Sequence, residues 1–177
     1  MKKLFIGIVL LGLGITQATA QKNYSTKNAV VHFRAVSDND IDAVNNAAVS
    51  RLESNGDLSF IMLMKGFKFE METMQDHFNK EYVESDKFPR ALFNGKITNI
   101  SKVDFSKDGK YPITVTGNMQ VHGVNKMMQT NGFIDIKDGV PTATARFTVT
   151  LKDFGIGGIL IKMVADKINI DIVATYQ

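Results

Sequence analysis

The sequence predicts an all-β protein, an antiparallel barrel of about eight strands with one short helix. Three observations carry that expectation. Apolar residues recur at every second position through most of the chain, the period of a strand with one buried face. Asn-Gly and Asp-Gly dipeptides, which supply the positive φ of tight hairpins, punctuate those runs at Asn55-Gly56, Asp108-Gly109, Asn131-Gly132 and Asp138-Gly139. No helix alternates with the strands, so sequential antiparallel pairing follows, and closure into a barrel removes exposed edges. A two-sheet sandwich is the alternative arrangement of the same runs.

The first segment is not part of that pattern. Lys2 and Lys3 precede an apolar stretch from Leu4 to Ile15, and Ala18-Thr19-Ala20 has the small-x-small form of a cleavage site. Residues 1–20 therefore read as a cleaved signal peptide and 21–177 as a single domain, periplasmic or secreted. The apolar stretch is too short for a bilayer core, which needs roughly twenty residues, and nothing later reaches that length, so the mature chain is not expected to span a membrane. Without Lys2 and Lys3 the formal net charge falls from +3 to +1. No basic cluster remains, which argues against a nucleic-acid partner. The chain has no cysteine, so its core alone must hold it together, and a lipid anchor on a cysteine is excluded.

Val31, Phe33 and Ala35 share a face opposite His32 and Arg34. Leu58, Phe60, Met62 and Met64 form the next inward row, then Ala91, Phe93, Gly95 and Ile97. A long strand follows from Tyr111 to Val121, with Met119 inward. Ala143, Ala145, Phe147, Val149 and Leu151 alternate with threonines and Arg146. Ile168, Ile170 and Ile172 close the series. One segment departs from period two: Met71, Met74 and Phe78 stand at i, i+3 and i+7, which predicts a helix over about 71–80 at one barrel end. Pro89 forbids its extension through Phe88. A second helical turn is expected around Gly158 to Asp166.

No catalytic constellation stands out. His32, His77 and His122 lack metal-ligand spacing and read as exposed or hydrogen-bonded side chains, so no metal site is expected. There is no G-x-S-x-G elbow and no nucleophilic cysteine. Gly155, Gly157 and Gly158 lack the lysine of a phosphate loop and read as a strand-to-turn bend. The carboxylates Asp38 and Asp40, and Glu81 and Glu84, lie in polar segments as solvated charge. The sequence thus argues against an enzyme.

Methionine is the unusual component. Nine occur in the chain, and those beyond Met1, including Met127, Met128 and Met163, fall largely on predicted inward faces. An unbranched, polarizable side chain suits a surface that adapts to a flexible apolar guest. The candidate cavity residues are Phe33, Phe60, Met62, Met64, Phe69, Met71, Met74, Phe78, Phe93, Met119 and Phe147. Ordinary core packing is the competing explanation for all of them, because a barrel of this size can be filled or hollow.

Three ordered stretches resemble the YceI-like family of exported lipid-binding proteins. The first is Met74-Gln75-Asp76-His77-Phe78-Asn79, continued by Tyr82, Glu84-Ser85-Asp86-Lys87-Phe88-Pro89 and Phe93-Asn94-Gly95-Lys96-Ile97. The second is Gly117-Asn118-Met119-Gln120-Val121-His122-Gly123-Val124. The third is Phe147-Thr148-Val149 with Leu151-Lys152-Asp153-Phe154-Gly155-Ile156. The resemblance implies an extended eight-stranded, lipocalin-like antiparallel barrel. It also implies a bound polyisoprenoid or quinone-like lipid as guest, with no covalent cofactor. Binding and carriage or storage of such a lipid in the cell envelope, without catalysis, is the expected function. A stress-associated or partner-binding scaffold with a filled barrel is the alternative. His77, Asn79, Arg90 and Lys126 are the candidates for a head-group mouth. A homodimer is compatible with the sequence, in which no pattern fixes the oligomeric state.

Overall fold

The computed structural model describes residues 22–37, 41–157 and 166–177. The expected leader, Asp38, Asp40, Met163 and most of the expected turn at 158–166 lie outside the described residues.

Eight long strands close on themselves. They are β1 (Asn23–Ala35), β2 (Asp42–Glu53), β3 (Asp57–Leu63), β5 (Arg90–Ile97), β6 (Gly109–Val121), β7 (Val124–Lys137), β8 (Val140–Thr150) and β9 (Lys167–Thr175). The ring runs β1-β9-β8-β7-β6-β5-β3-β2 and returns to β1, antiparallel at every pairing. A two-residue strand, β4 (Lys68–Phe69), pairs with Ala43 and Val44 of β2. A barrel, not a sandwich, is the outcome. Period-two burial drives it: Ile113 and Val115 on β6 and Ile134 and Ile136 on β7 are buried, with exposed or half-buried residues between them.

Two of the hairpins have positive φ at both central residues, the geometry that matches strand twist. These are His122-Gly123 (51° and 75°) and Asp138-Gly139 (51° and 76°). Asn131-Gly132, expected to be a turn, instead lies inside β7. Gly132 pairs with Ile113 on one side and Ala145 on the other. A Cβ there would stand 2.3 Å from the Thr144 carbonyl oxygen, so this glycine serves close strand approach. Asp108-Gly109 is not a hairpin either. Gly109 begins β6, and the Asp108 carboxylate accepts the backbone N–H groups of Asp138 (3.0 Å) and Gly139 (3.3 Å), tying two loops at one barrel end.

The expected helix is present but starts later and changes pitch. α1 (Glu72–His77) continues as a π-helical turn over Phe78–Tyr82. Val83 N–H donates to the Phe78 carbonyl at 3.0 Å, a five-residue step. That step keeps Phe78 and Val83 on the buried side. The element lies at one end of the barrel. The opposite end is filled by buried Ile97, Ile134 and Ile136 and by a Tyr24–Phe105 ring stack 5.1 Å apart.

Hydrogen bonding around the ring is uneven. β3 pairs with β2 only from Val49↔Ile61 to Leu52↔Leu58. Past that point β4 and the buried Asn45 complete the wall: the Asn45 amide donates to the Leu63 carbonyl (2.9 Å), and its side-chain oxygen accepts the Ala47 N–H (3.0 Å). β7 pairs with β8 only from Gly132↔Ala145 to Lys137↔Val140. Residues 124–131 of β7 remain paired to β6, and 146–150 of β8 to β9, but no ladder joins these two stretches.

Candidate functional site

The inward rows enclose an apolar cavity of about 200 Å³. It is built from alternate residues, because successive side chains of a strand point to opposite faces. Phe33, Phe60, Met62, Met64, Phe69, Met74, Phe78, Phe93, Met119 and Phe147 all line it. Met71 does not. It precedes α1 in an extended conformation (φ −94°, ψ 126°) and is 49% exposed. The helical spacing that grouped it with Met74 and Phe78 therefore does not apply to it.

The cavity has an aromatic roof beneath α1. Phe33, Phe67, Phe69 and Phe78 meet in tilted and edge-to-face pairs with centroids 5.0–6.1 Å apart, arrangements that suit the ring quadrupole. Midway down the wall, Gly95 and Gly117 face each other across β5 and β6. A Cβ on either would come within 2.5–2.6 Å of the Phe93 Cζ and of neighbouring backbone. The glycine pair thus lets the Phe93 ring lie flat on the sheet, a packing that shields bare backbone and leaves the lumen open.

Toward the end opposite α1, the lumen carries a buried hydroxyl pair. Ser50 and Tyr176 both line the cavity, with Ser50 Oγ 2.9 Å from the Tyr176 hydroxyl. Ser50 Oγ can also donate to the Ser59 carbonyl at 3.1 Å. Burial pushes the Tyr176 phenol up to about 12, against a smaller opposing effect of the hydrogen bond to Ser50. These two buried hydroxyls are satisfied by the protein, so they ask no polar partner of a guest. An apolar cavity of this size stays dry or binds apolar molecules.

The four candidate mouth residues do not converge. His77 is exposed and pairs with Glu81 at 3.0 Å. The Asn79 side-chain oxygen is buried with no hydrogen-bond partner among the described residues, so it is not on a rim. Arg90 is exposed at the first position of β5. Lys126 is exposed opposite Met119, in the part of β7 that lacks a β8 partner. None of the four lines the cavity.

The histidines are held structurally. His32 Nε2 lies 2.6 Å from Asp42 Oδ1 on the outer face. His122, only 12% exposed, has Nε2 2.9 Å from Glu84 Oε2 and Nδ1 3.2 Å from the Phe154 carbonyl, with the Phe88 ring edge-on at 4.3 Å. It joins three loops at the α1 end. Glu81 and Glu84 face His77 and His122 respectively, not each other. Among the described residues no group of three His, Asp or Glu is placed to hold a metal ion, and no helix is long and apolar enough to cross a membrane.

Sequence reasoning missed Ser50, Phe67, Phe154 and Tyr176. β2 was hard to see because the strand pairing of β1 and β2 shifts register between Thr26 and Val31, opposite Ala48 and Asn45, which breaks alternation. Phe67, alternating with Phe69 around Lys68, was the one legible signal.

The comparisons agree with this geometry. A family model described as the YceI-like domain matches residues 16–176. No curated protein sequence matches the chain. Among solved structures, it is similar to a polyisoprenoid-binding domain from Saccharophagus degradans implicated in plant cell wall breakdown. That TM-score is 0.75 at 8% identity, covering 88% of this chain and 97% of the other. It is similar to BcnA of Burkholderia cenocepacia at TM-score 0.67 and 13% identity, over 88% and 96% of the two chains. A YceI protein of Campylobacter jejuni gives TM-score 0.54 at 16% identity, over 99% and 97%. At these identities the structural likeness speaks to fold.

Proposed function

This chain belongs to the YceI-like domain family, and from that premise we propose that it binds a long apolar, isoprenoid-type lipid and carries or stores it in the cell envelope, without catalysis. The observation that carries the proposal is the lumen itself: a cavity of about 200 Å³ lined mainly by phenylalanine, methionine and aliphatic side chains, with the buried Ser50 and Tyr176 hydroxyls paired to each other. Each methylene moved from water into such a lining contributes about 0.8 kcal/mol, so one five-carbon unit contributes up to roughly 3–4 kcal/mol. A few units exceed the several kcal/mol lost in ordering guest and protein. Family resemblance supports the isoprenoid class, and the relative from Saccharophagus degradans is described as a polyisoprenoid-binding domain. The leader-like residues 1–20 support export, with one domain from Gln21 onward.

The alternative, a scaffold whose barrel is filled, requires Phe60, Met62, Phe93, Met119 and Phe147 to interlock. That all five line the cavity favours the carrier reading. Native mass spectrometry of protein gently purified from the envelope of its own host tests the proposal. A lipid-sized adduct that disappears on denaturation is expected, on a polypeptide beginning at Gln21. A protein that is always free of adduct and takes up no added prenyl alcohol overturns the carrier reading. A mass that retains residues 1–20 overturns the export reading alone.

A further inference from the structure

Both ends of the lumen carry aromatic closures: the Phe33, Phe67, Phe69 and Phe78 cluster under α1, and Tyr176 with the Tyr24–Phe105 stack at the other end. The wall, by contrast, is interrupted beside the lumen. The interruption between β2 and β3 is stitched by Asn45. The one between 124–131 of β7 and 146–150 of β8 has no such stitch among the described residues. At about 3.3 Å per residue, the five β8 residues alone extend roughly 17 Å.

The interruption has a frame. At its lower edge stands Gly132, the last β7 residue in the ladder to β8, where a side chain would strike the Thr144 carbonyl. At its upper edge the His122 ring lies against the Phe154 carbonyl at 3.2 Å, bridging the β6–β7 turn to the 3-10 turn Leu151–Phe154 that follows β8. The β8 lip is held from behind. Arg146 pairs with Asp171 of β9, which Arg34 of β1 also holds at 2.6 Å. Burial alone raises the Asp171 carboxyl, but the hydrogen bonds from Arg146 and Arg34 outweigh it and leave it below its ordinary value.

Lumen residues reach both lips. If the register of Gly132↔Ala145 continued, Thr130 would face Phe147 and Met128 would face Val149, and all four line the cavity. In a closed wall these pairs would pack on each other. On the outside, Met127 is 75% exposed, more than any other large apolar side chain described. We infer that a long, thin apolar chain passes into and out of the barrel sideways, through the opening between β7 and β8, and not through the α1 end. This rests on the carrier reading above, whose class of guest is a flexible chain that can thread a slot.

The chain has no cysteine, so two introduced thiols can be joined selectively. Gln129→Cys with Thr148→Cys places them on the exposed outer faces of opposite lips, to be tied by a short bis-maleimide. Lys65→Cys with Asp86→Cys serves as the comparison, since the native charged groups meet at 2.5 Å at the α1 end. The probe is N-phenyl-1-naphthylamine, displaced by farnesol and followed by stopped-flow fluorescence. Tying the lips is expected to slow association and dissociation together by at least about tenfold while equilibrium affinity stays within about twofold, because a passage alters rates and not end states. The α1-end tie is expected to leave both rates unchanged. Unchanged rates with tied lips, or slowing only with the α1-end tie, overturn the inference. Affinity reports on the carrier proposal and rate on the passage; a parent protein that binds neither probe nor farnesol overturns both.

Amide hydrogen exchange on the unmodified protein supplies a check that needs no variant. Alternate amides of 126–130 and 146–149 should exchange as fast as turn amides. Ladder-like protection there overturns the inference, as does a second copy pairing with these edges, seen as concentration-dependent protection and a dimer in sedimentation.

Discussion

Tyr176 is the penultimate residue of the chain, yet it is 1% exposed and faces the lumen. Its phenol stays protonated in the folded protein up to about 12 because burial penalises the phenolate. The unfolded chain loses that proton near 10. Between those values the unfolded state binds fewer protons, so stability is complete below about pH 10 and falls as pH rises toward 12. Tyr176→Phe is expected to lower stability modestly at pH 7, by about 1 kcal/mol, and to remove about 2–3 kcal/mol of the alkaline decline. Urea unfolding at pH 8 and pH 11.5 measures both. Gly117 makes a second prediction at this scale. Gly117→Ala brings its Cβ within 2.5 Å of the Gly95 Cα and 2.6 Å of the Phe93 ring, so the ring must move into the lumen. A loss of about 1–3 kcal/mol in unfolding free energy, with weaker uptake of an apolar fluorophore, is expected. Most lumen residues were legible one by one, because alternation around Phe93 or Phe147 fixes which neighbours share a face. Ser50 and Tyr176 were not: a serine and a penultimate tyrosine carry no periodic signature of their own.

Strands β1, β3, β5, β6, β8 and β9 were readable where apolar and polar residues alternate without interruption. Elements failed to show where a local device replaces alternation. β2 carries Asn45 at a buried position, since its side chain substitutes for missing ladder bonds to β3. A polar residue at that position interrupts the apolar alternation that marks a strand. Asn45→Ala should leave the Leu63 carbonyl and the Ala47 N–H without partners and reduce stability by about 1–3 kcal/mol, read by chemical denaturation. Asn45→Asp is expected to fare no better, because a carboxylate cannot donate to Leu63. β7 was obscured by Asn131-Gly132, where the glycine serves close strand approach and not chain reversal. In α1 the helical spacing was sound from Met74 onward, but the π-helical turn at Phe78–Tyr82 and the extended backbone at Met71 depend on tertiary packing that spacing does not encode.

For the whole molecule, the decisive question was whether the interior is filled, and alternation cannot answer it because a solid and a hollow barrel share the same pattern. Met119→Trp tests the answer. Methionine 119 is half-buried on the lumen wall, and an indole there should occupy space a guest would use. The expected outcome is a folded protein, stable to within about 1–3 kcal/mol of the parent, that no longer holds a lipid adduct in native mass spectrometry. Undiminished adduct in that variant would place the guest elsewhere. The uneven ladder has a mechanical corollary. Around most of its circumference the barrel can expand only by breaking backbone bonds, but between residues 124–131 of β7 and 146–150 of β8 no ladder joins the strands among the described residues. The girth of the barrel is therefore expected to yield more readily at the β7–β8 interruption than at the continuous β5–β6 ladder. Bulky groups on a guest should be tolerated where they press against the unlaced side, whereas the same bulk turned toward the Gly95–Gly117 wall meets a sheet that cannot yield.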